Sequence, residues 1–300
     1  MGSGSYSING STGLYDATVR SSNVKYRVDN GISADYLKAS RDEIFKNKSV
    51  NNAMSPYGVD IRESRDSDEH PNSLAIILAL DVTGSMGSIP HYLIKNGLPD
   101  IMGNIIQRGI KDPQILFTAI GDHECDNAPL QIGQFESSDE LLDHWLENVW
   151  LEGGGGGNNG ESYFLAWYFA AKHTSIDCFE KRNQKGFLFT IGDEPVLKQI
   201  PGHILKEIMG NGQFDHSNDV TIFLDEARKT YEIYHLHLKE GSNGRRQDVI
   251  DGWKQIMGEN LIIVENKENI AKLISDKIIQ TINNSSVEIK SEPKEESIIL

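Results

Sequence analysis

Two cysteines, Cys125 and Cys178, are all that 300 residues hold. They are too few for a disulfide framework or a zinc cage, so free thiols are expected. No apolar run approaches the roughly 18 residues that a membrane-spanning helix needs. The opening stretch from Met1 to Tyr6 lacks the basic and apolar regions of a secretion leader. A cytoplasmic setting is therefore expected, with no membrane role. Basic charge is also short: 29 Lys and Arg face 44 Asp and Glu, a net charge of −15. That balance argues against nucleic acid as partner and fits a solvated acidic surface or one that meets a basic protein. What is present is 38% hydrophobic residues, ordinary for a globular chain able to bury a sizeable core.

The apolar residues are unevenly placed. Residues 1–72 are polar, with one helical pattern over residues 34–45 and a charged run, residues 60–71, that reads as a solvated loop. This part is expected to be an extension packed partly on the domain that follows. From residue 73 to 282, buried strands alternate with amphipathic helices: strands at 74–80, 114–120, 187–191, 231–238 and 261–264, and an alternating segment at 130–135 that suggests an exposed edge strand running antiparallel. Ser137 to Glu140 has the spacing of a capping box before the helix carrying Leu141, Leu142, Trp145 and Leu146. The last helix is expected from Lys267 to about Thr281, and residues 283–300 as a disordered polar tail. The alternation predicts one α/β domain, a doubly wound, Rossmann-like and mostly parallel sheet with one antiparallel edge strand.

The chain is organised around its first buried strand. Leu74, Ala75, Ile76, Ile77, Leu78, Ala79 and Leu80 run without alternation, as in a strand covered on both faces, and end in Asp81, Val82, Thr83, Gly84 and Ser85. One carboxylate and two hydroxyls at positions i, i+2 and i+4 thus arrive at a strand's carboxyl end, where open α/β sheets bind ligands. All three are hard oxygen donors suited to Mg²⁺. The alternative is a plain strand-to-helix turn capped by Asp81 or Ser85. Two further loops are rich in oxygen donors. Five glycines, Gly153 to Gly157, precede Asn158, Asn159, Gly160, Glu161 and Ser162, and Asp193 and Glu194 follow the strand at 187–191.

Asp81, Thr83 and Ser85 match the Asp-x-Ser/Thr-x-Ser signature of the metal-ion-dependent adhesion site, and the three-loop order resembles von Willebrand factor type A domains from about Ser73 to Thr281. The second loop is similar to the Gly-Gly-Gly-Asp-x-Pro-Glu of intracellular bacterial, phage and alpha-kinase-associated members. The resemblance implies a metal set of Asp81, Thr83, Ser85, Asn158 and Asp193. It also implies that Gly84, Asp122, Gly157, Glu161 and Glu194 would stand around the ion or at the partner surface. Asn158 is the departure: where the family has Thr or Asp, this chain offers a neutral amide, for which Glu161 or Asp122 would compensate. The resemblance further implies Mg²⁺, with Mn²⁺ or Ca²⁺ as substitutes, a protein partner whose Asp or Glu completes the ion's coordination, no catalysis, and by family analogy an adaptor role beside an AAA+ ATPase. The alternative is an assembly component whose metal site stabilises the fold.

Two enzymatic patterns fail on particular residues. Gly155 to Ser162 has P-loop spacing, but Glu161 stands where a lysine must attract phosphate. Asp81 and the Gly121, Asp122 and Asp126 pattern resemble haloacid-dehalogenase phosphohydrolases, yet Thr83 replaces the second aspartate that would exchange the proton. His235 and His237 alternate onto one strand face with no further ligand at a suitable interval, which favours core or edge histidines over zinc.

Overall fold

A computed structural model describes residues 49–93, 98–152, 158, 160–210 and 219–291. The helical pattern at 34–45, Gly157, and residues 292–300 lie outside them. In chain order the elements are β1 (Arg62–Ser64), β2 (Leu74–Asp81), α1 (Ile89–Tyr92), α2 (Leu98–Gln107), β3 (Pro113–Ile120), β4 (Leu130–Glu136), α3 (Asp139–Glu147), α4 (Phe164–Lys172), β5 (Thr174–Ile176), α5 (Asp177–Glu180), β6 (Gly186–Gly192), α6 (Gly202–Met209), α7 (Thr221–Ala227), β7 (Tyr231–Leu238), α8 (Gln247–Met257), β8 (Leu261–Val264) and α9 (Ile270–Ser291).

Six strands form one sheet in the order β4-β3-β2-β6-β7-β8. Every pairing is parallel except β3 with β4. All positions of β2, β3 and β6 are buried, which is why their sequences run apolar without alternation. Helices cover the sheet: α2 packs against α9 and α3, and α4 against α7. Phe164 to Ala170 of α4 are buried throughout, so this helix is apolar on all sides and sits between the sheet and an outer layer. The architecture is the expected doubly wound, Rossmann-like one.

The chain leaves β2 towards β3 and β4 on one side, then crosses back to β6, β7 and β8 on the other. Strand order therefore reverses between β2 and β6, and a crevice opens at the carboxyl ends of those two strands. The last registered pair between them is Leu80 with Ile191, so Asp81 ends β2 close to where Asp193 leaves β6.

Four local expectations are corrected. The charged run at 60–71 is not only a loop: β1 pairs in parallel with β5 as a separate two-stranded sheet. Ser64 Oγ donates to Gln114 Oε1 at 2.7 Å, tying that sheet to β3. The edge strand β4 is not exposed, because six of its seven residues are buried. The Asn52–Met54 turn, β1 and α3 all contact β4, and Gly133 lets the Trp145 ring approach it closely. Ser138, not Ser137, caps α3, its hydroxyl accepting from Leu141 N. The final helix continues past Thr281 to Ser291.

Candidate functional site

Asp81 ends β2 fully buried, and each of its carboxylate oxygens is engaged. Oδ1 accepts from the Thr83 backbone N at 2.9 Å and its hydroxyl at 2.6 Å, the local turn that Gly84 continues into a short 3-10 helix, Gly84–Met86. Oδ2 accepts from the Tyr163 hydroxyl at 2.7 Å. The Thr83 hydroxyl lies 3.4 Å from Ser85 Oγ, and Ser85 donates to Asp193 Oδ1 at 2.7 Å. Side chains from β2, its loop, the entry to α4 and the end of β6 thus form one continuous run: Tyr163, Asp81, Thr83, Ser85, Asp193. Four of these five were legible in the sequence. Tyr163 was not, because it reads there as one more aromatic before an apolar helix.

The loop after β7 closes the site from the far side. Asn243 N donates to Asp193 Oδ2 at 2.8 Å, and Ser242 N and Oγ donate to Ser85 O at 3.1 and 2.9 Å. Gly241 is required for that approach, since a Cβ on it would stand 2.4 Å from the Asp193 carboxyl. Gly192 plays the same part beneath Tyr163, where a Cβ would meet the hydroxyl oxygen at 1.9 Å. The loop after β7 is thus a fourth contributor that sequence reasoning missed; its only local signal is the run Gly241, Ser242, Asn243, Gly244 after a buried strand.

The remaining candidates fall around this run. Glu161 is buried, its backbone bridged to Val196 through Glu161 N to Pro195 O at 2.8 Å and Leu197 N to Glu161 O at 3.0 Å. Asp122 is buried, with Oδ1 accepting from Glu124 N at 2.8 Å. Asn158 points elsewhere: its amide donates to Glu124 Oε2 at 2.8 Å. Glu194 accepts from the Asn243 side chain and its carbonyl from Trp253 Nε1 at 2.8 Å. His235 and His237 are core residues, as expected. His235 stacks on Trp253 with centroids 3.4 Å apart and bonds the Thr190 hydroxyl, and His237 Nε2 bonds Gly244 O. Burial, together with each other's proximity for His235, lowers the pKa of both.

Electrostatically the site is short of positive charge. Burial, reinforced by the Asp193 carboxylate, raises the Asp81 carboxyl to about 7 in spite of its hydrogen bonds. Burial and then the charge of Asp81, Asp122 and Asp126 raise Glu161 to about 10. Burial and Asp193 push Glu194 upward too. Among the described residues no Lys or Arg pairs with Asp81, Asp122, Glu161 or Asp193. Buried Asp122 Oδ2, Glu161 Oε2 and Glu194 Oε2 have no hydrogen-bond partner.

Among the described residues, no three His, Cys, Asp or Glu side chains converge tightly enough to hold an ion by themselves. Here the carboxylates are separated by hydroxyls, so any cation would be held by a mixed set. Hard oxygen donors, buried carboxylate oxygens left without partners and, among the described residues, no Lys or Arg paired with Asp81, Asp122, Glu161 or Asp193 are the chemistry that a hard divalent ion satisfies. Arg246 bonds Asn243 at the rim. The residues present therefore fit Mg²⁺.

No protein-family model matches this chain, and no curated protein matches it. Solved structures resemble it at low identity. The pilus adhesin SpaC from Lactobacillus rhamnosus GG, in its open conformation, is 8% identical with a TM-score of 0.47, covering 74% of this chain and 31% of the adhesin. An aerotolerance-related membrane protein from Bacteroides fragilis is 14% identical, with a TM-score of 0.40 over 69% of this chain and 99% of that one. Proximal thread matrix protein 1 from the mussel byssus is 9% identical, with a TM-score of 0.45 over 72% of this chain and 49% of that one. This chain thus spans under a third of the adhesin. Among the described residues no helix is long and apolar enough to cross a membrane.

Proposed function

We propose that the chain carries a von Willebrand factor type A-like, metal-dependent protein-binding module and is not an enzyme. The observation that carries this reading is the hydrogen-bonded run Asp81, Thr83, Ser85 and Asp193 in the crevice between β2 and β6, acidic and without a basic partner among the described residues. Thr83 and Ser85 hydroxyls with the Asp81 and Asp193 carboxylates would hold Mg²⁺, or Mn²⁺ or Ca²⁺ in its place. When bound, the ion supplies an electrophilic position that an oxygen ligand from another molecule can fill. Tyr163 fixes the Asp81 carboxylate, and Asn243 fixes that of Asp193, so the donors are oriented before any ligand arrives.

The partner chemistry that fits is a protein presenting an Asp or Glu carboxylate. An adaptor role beside an AAA+ ATPase rests on analogy with intracellular members of that family. Catalysis of the haloacid-dehalogenase type is disfavoured by Thr83, whose hydroxyl donates to Asp81 and ionises far too high to act as an acid–base group near neutral pH. The competing assignment, an assembly component in which the ion only stabilises the fold, draws on the full burial of Asp81 and Asp193.

Calorimetric titration of Mg²⁺ and Mn²⁺ into chelator-treated protein tests the reading, with Asp81→Ala/Ser85→Ala alongside. One saturable site, lost in the double variant, is expected. An array of acidic peptides probed with and without chelator then separates recruiter from scaffold. Capture that survives chelation counts against recruitment, and absence of metal binding in the wild type overturns the reading.

A further inference from the structure

The second loop presents two candidates for the charge that balances the ion, Asn158 and Glu161, and the structure separates them. Asn158 spends its amide on Glu124, 2.8 Å away, so it joins the loop after β3 and makes no hydrogen bond with the Asp81 to Asp193 run. Glu161 is 8% exposed and has a buried Oε2 with no partner. Its backbone is locked on both sides: N donates to Pro195 O and O accepts from Leu197 N in the loop after β6, while the next residue, Ser162, donates its N–H to Gly121 O in the loop after β3. Gly160, at a φ of 159°, packs against Leu197 and Pro195, where any side chain would crowd them. A carboxylate oxygen buried in this way without a partner is costly unless a cation compensates it.

We infer that Glu161, and not Asn158, supplies the second loop's negative charge to the cation at the Asp81 site, directly or through water, while Asn158 latches the loop to Glu124. The inference rests on the metal-binding reading above and deepens it. The second loop lacks an anionic residue at position 158 and keeps one three residues later, on a backbone that two neighbouring loops hold in place. Thr83 donates its hydroxyl to Asp81 and lies 3.4 Å from Ser85, which donates to Asp193, so those two carboxylates are already linked through hydroxyls. This arrangement explains how carboxylates that do not converge tightly as a group can still serve one ion through shared hydroxyls.

The test is calorimetric titration with Mg²⁺ and Mn²⁺ alone, on the full chain, comparing wild type with Glu161→Gln, Asn158→Ala and Asp122→Asn, together with melting curves of all four in chelator. Glu161→Gln is expected to weaken binding about tenfold or more, since ligand charge tunes such sites. Asn158→Ala should stay within about twofold, because a distant latch contributes little to the ion. In chelator, Glu161→Gln should melt no lower than wild type, because Gln keeps the shape and the buried Oε2 has no hydrogen bond to lose. A carboxylate that served only to hold the loops would give the opposite sign. The inference is overturned by a Glu161→Gln protein that binds metal like wild type or melts lower in chelator. It is also overturned if the large loss appears in Asn158→Ala or Asp122→Asn instead. Wild type that binds neither ion removes the metal reading itself, whereas wild-type binding with an unaffected Glu161→Gln removes only this inference.

Discussion

Two groups of carboxylates, each with a buried aspartate, lie at opposite ends of the same strand, roughly 26 Å apart for eight extended residues, and they are built on opposite principles. At the amino end of β2, Asp177 and Asp66 are surrounded by cations. Arg65 reaches Asp177 and Glu180 at 2.8 Å each, Lys181 reaches Asp177 at 2.6 Å, and Arg182 reaches Asp66 at 2.6 Å. Burial alone would raise Asp177, but hydrogen bonds from Lys181, the Asp66 backbone and Arg65 outweigh it and hold the carboxyl at about 2. At the carboxyl end, Asp81 and Glu161 have hydroxyls and other carboxylates for neighbours, and their pKa values move upward. The same residue type is a completed structural tie in one place and an unfinished ligand set in the other. Charge balance and depth together separate them: Asp177 lies among the solvent-reaching side chains of Arg65 and Lys181, whereas Asp81 is fully buried with no basic partner among the described residues.

The strongest way to break the comparison is to destroy the unfinished end sterically. Gly192→Ala would place a Cβ 1.9 Å from the Tyr163 hydroxyl oxygen and 2.9 Å from Asp81 Cβ. Overpacking of this severity is expected to cost about 3 kcal/mol or more and to abolish metal binding. Thermal and urea melts read the first effect and calorimetry the second. Next in size is completion of that end. Mg²⁺ at about 100 times its dissociation constant should stabilise the fold by about 2.7 kcal/mol. The shift in melting temperature should vanish in Asp81→Ala. A smaller effect is expected from breaking the finished end: Arg65→Ala leaves Asp177 with Lys181 but strips a charged donor, a loss of about 2 kcal/mol that Mg²⁺ does not restore.

The smallest effect sharpens the comparison through pH. The folded Asp177 carboxyl, at about 2, lies below the roughly 3.9 of an unfolded aspartate. Its stabilising contribution is therefore complete above about pH 4 and disappears as pH falls towards about 2. Asp177→Asn should flatten that part of the stability profile in acid titrations followed by circular dichroism. An unchanged profile would mean that other carboxylates set the acid limb.

The two ends also differed in how far they could be read from sequence. The carboxyl-end site was largely legible, because an unbroken apolar run ending in Asp81, Thr83 and Ser85 is local information, as is the run to Ile191 that ends in Asp193. The amino-end network was not. Its parts, Arg65 and Asp66 against Asp177, Glu180 and Arg182, lie more than a hundred residues apart, and β1 and β5 are three-residue strands too short to show a period. Charges scattered along 60–71 look like any solvated loop until a partner strand folds against them. Tyr163 and Asn243 were hidden for the same reason, since their contacts with Asp81 and Asp193 join residues 82 and 50 positions apart.

The sequence by itself determined the alternating α/β order, the buried central strands, the antiparallel edge pair and the hydroxyl and carboxylate content of the loops. Each of these is carried by neighbouring residues through hydrophobic period and turn chemistry. Only the tertiary structure decided which oxygens face one another. Asn158 turns to Glu124 while the backbone of Glu161 is pinned to Pro195 and Leu197, β4 is covered although it lies at the sheet's edge, and Asp177 meets Arg65 while Asp81 and Asp193 pair with no arginine among the described residues. Those outcomes depend on which loops the topology brings together at the reversal of strand order between β2 and β6, and no local pattern encodes a meeting of that kind.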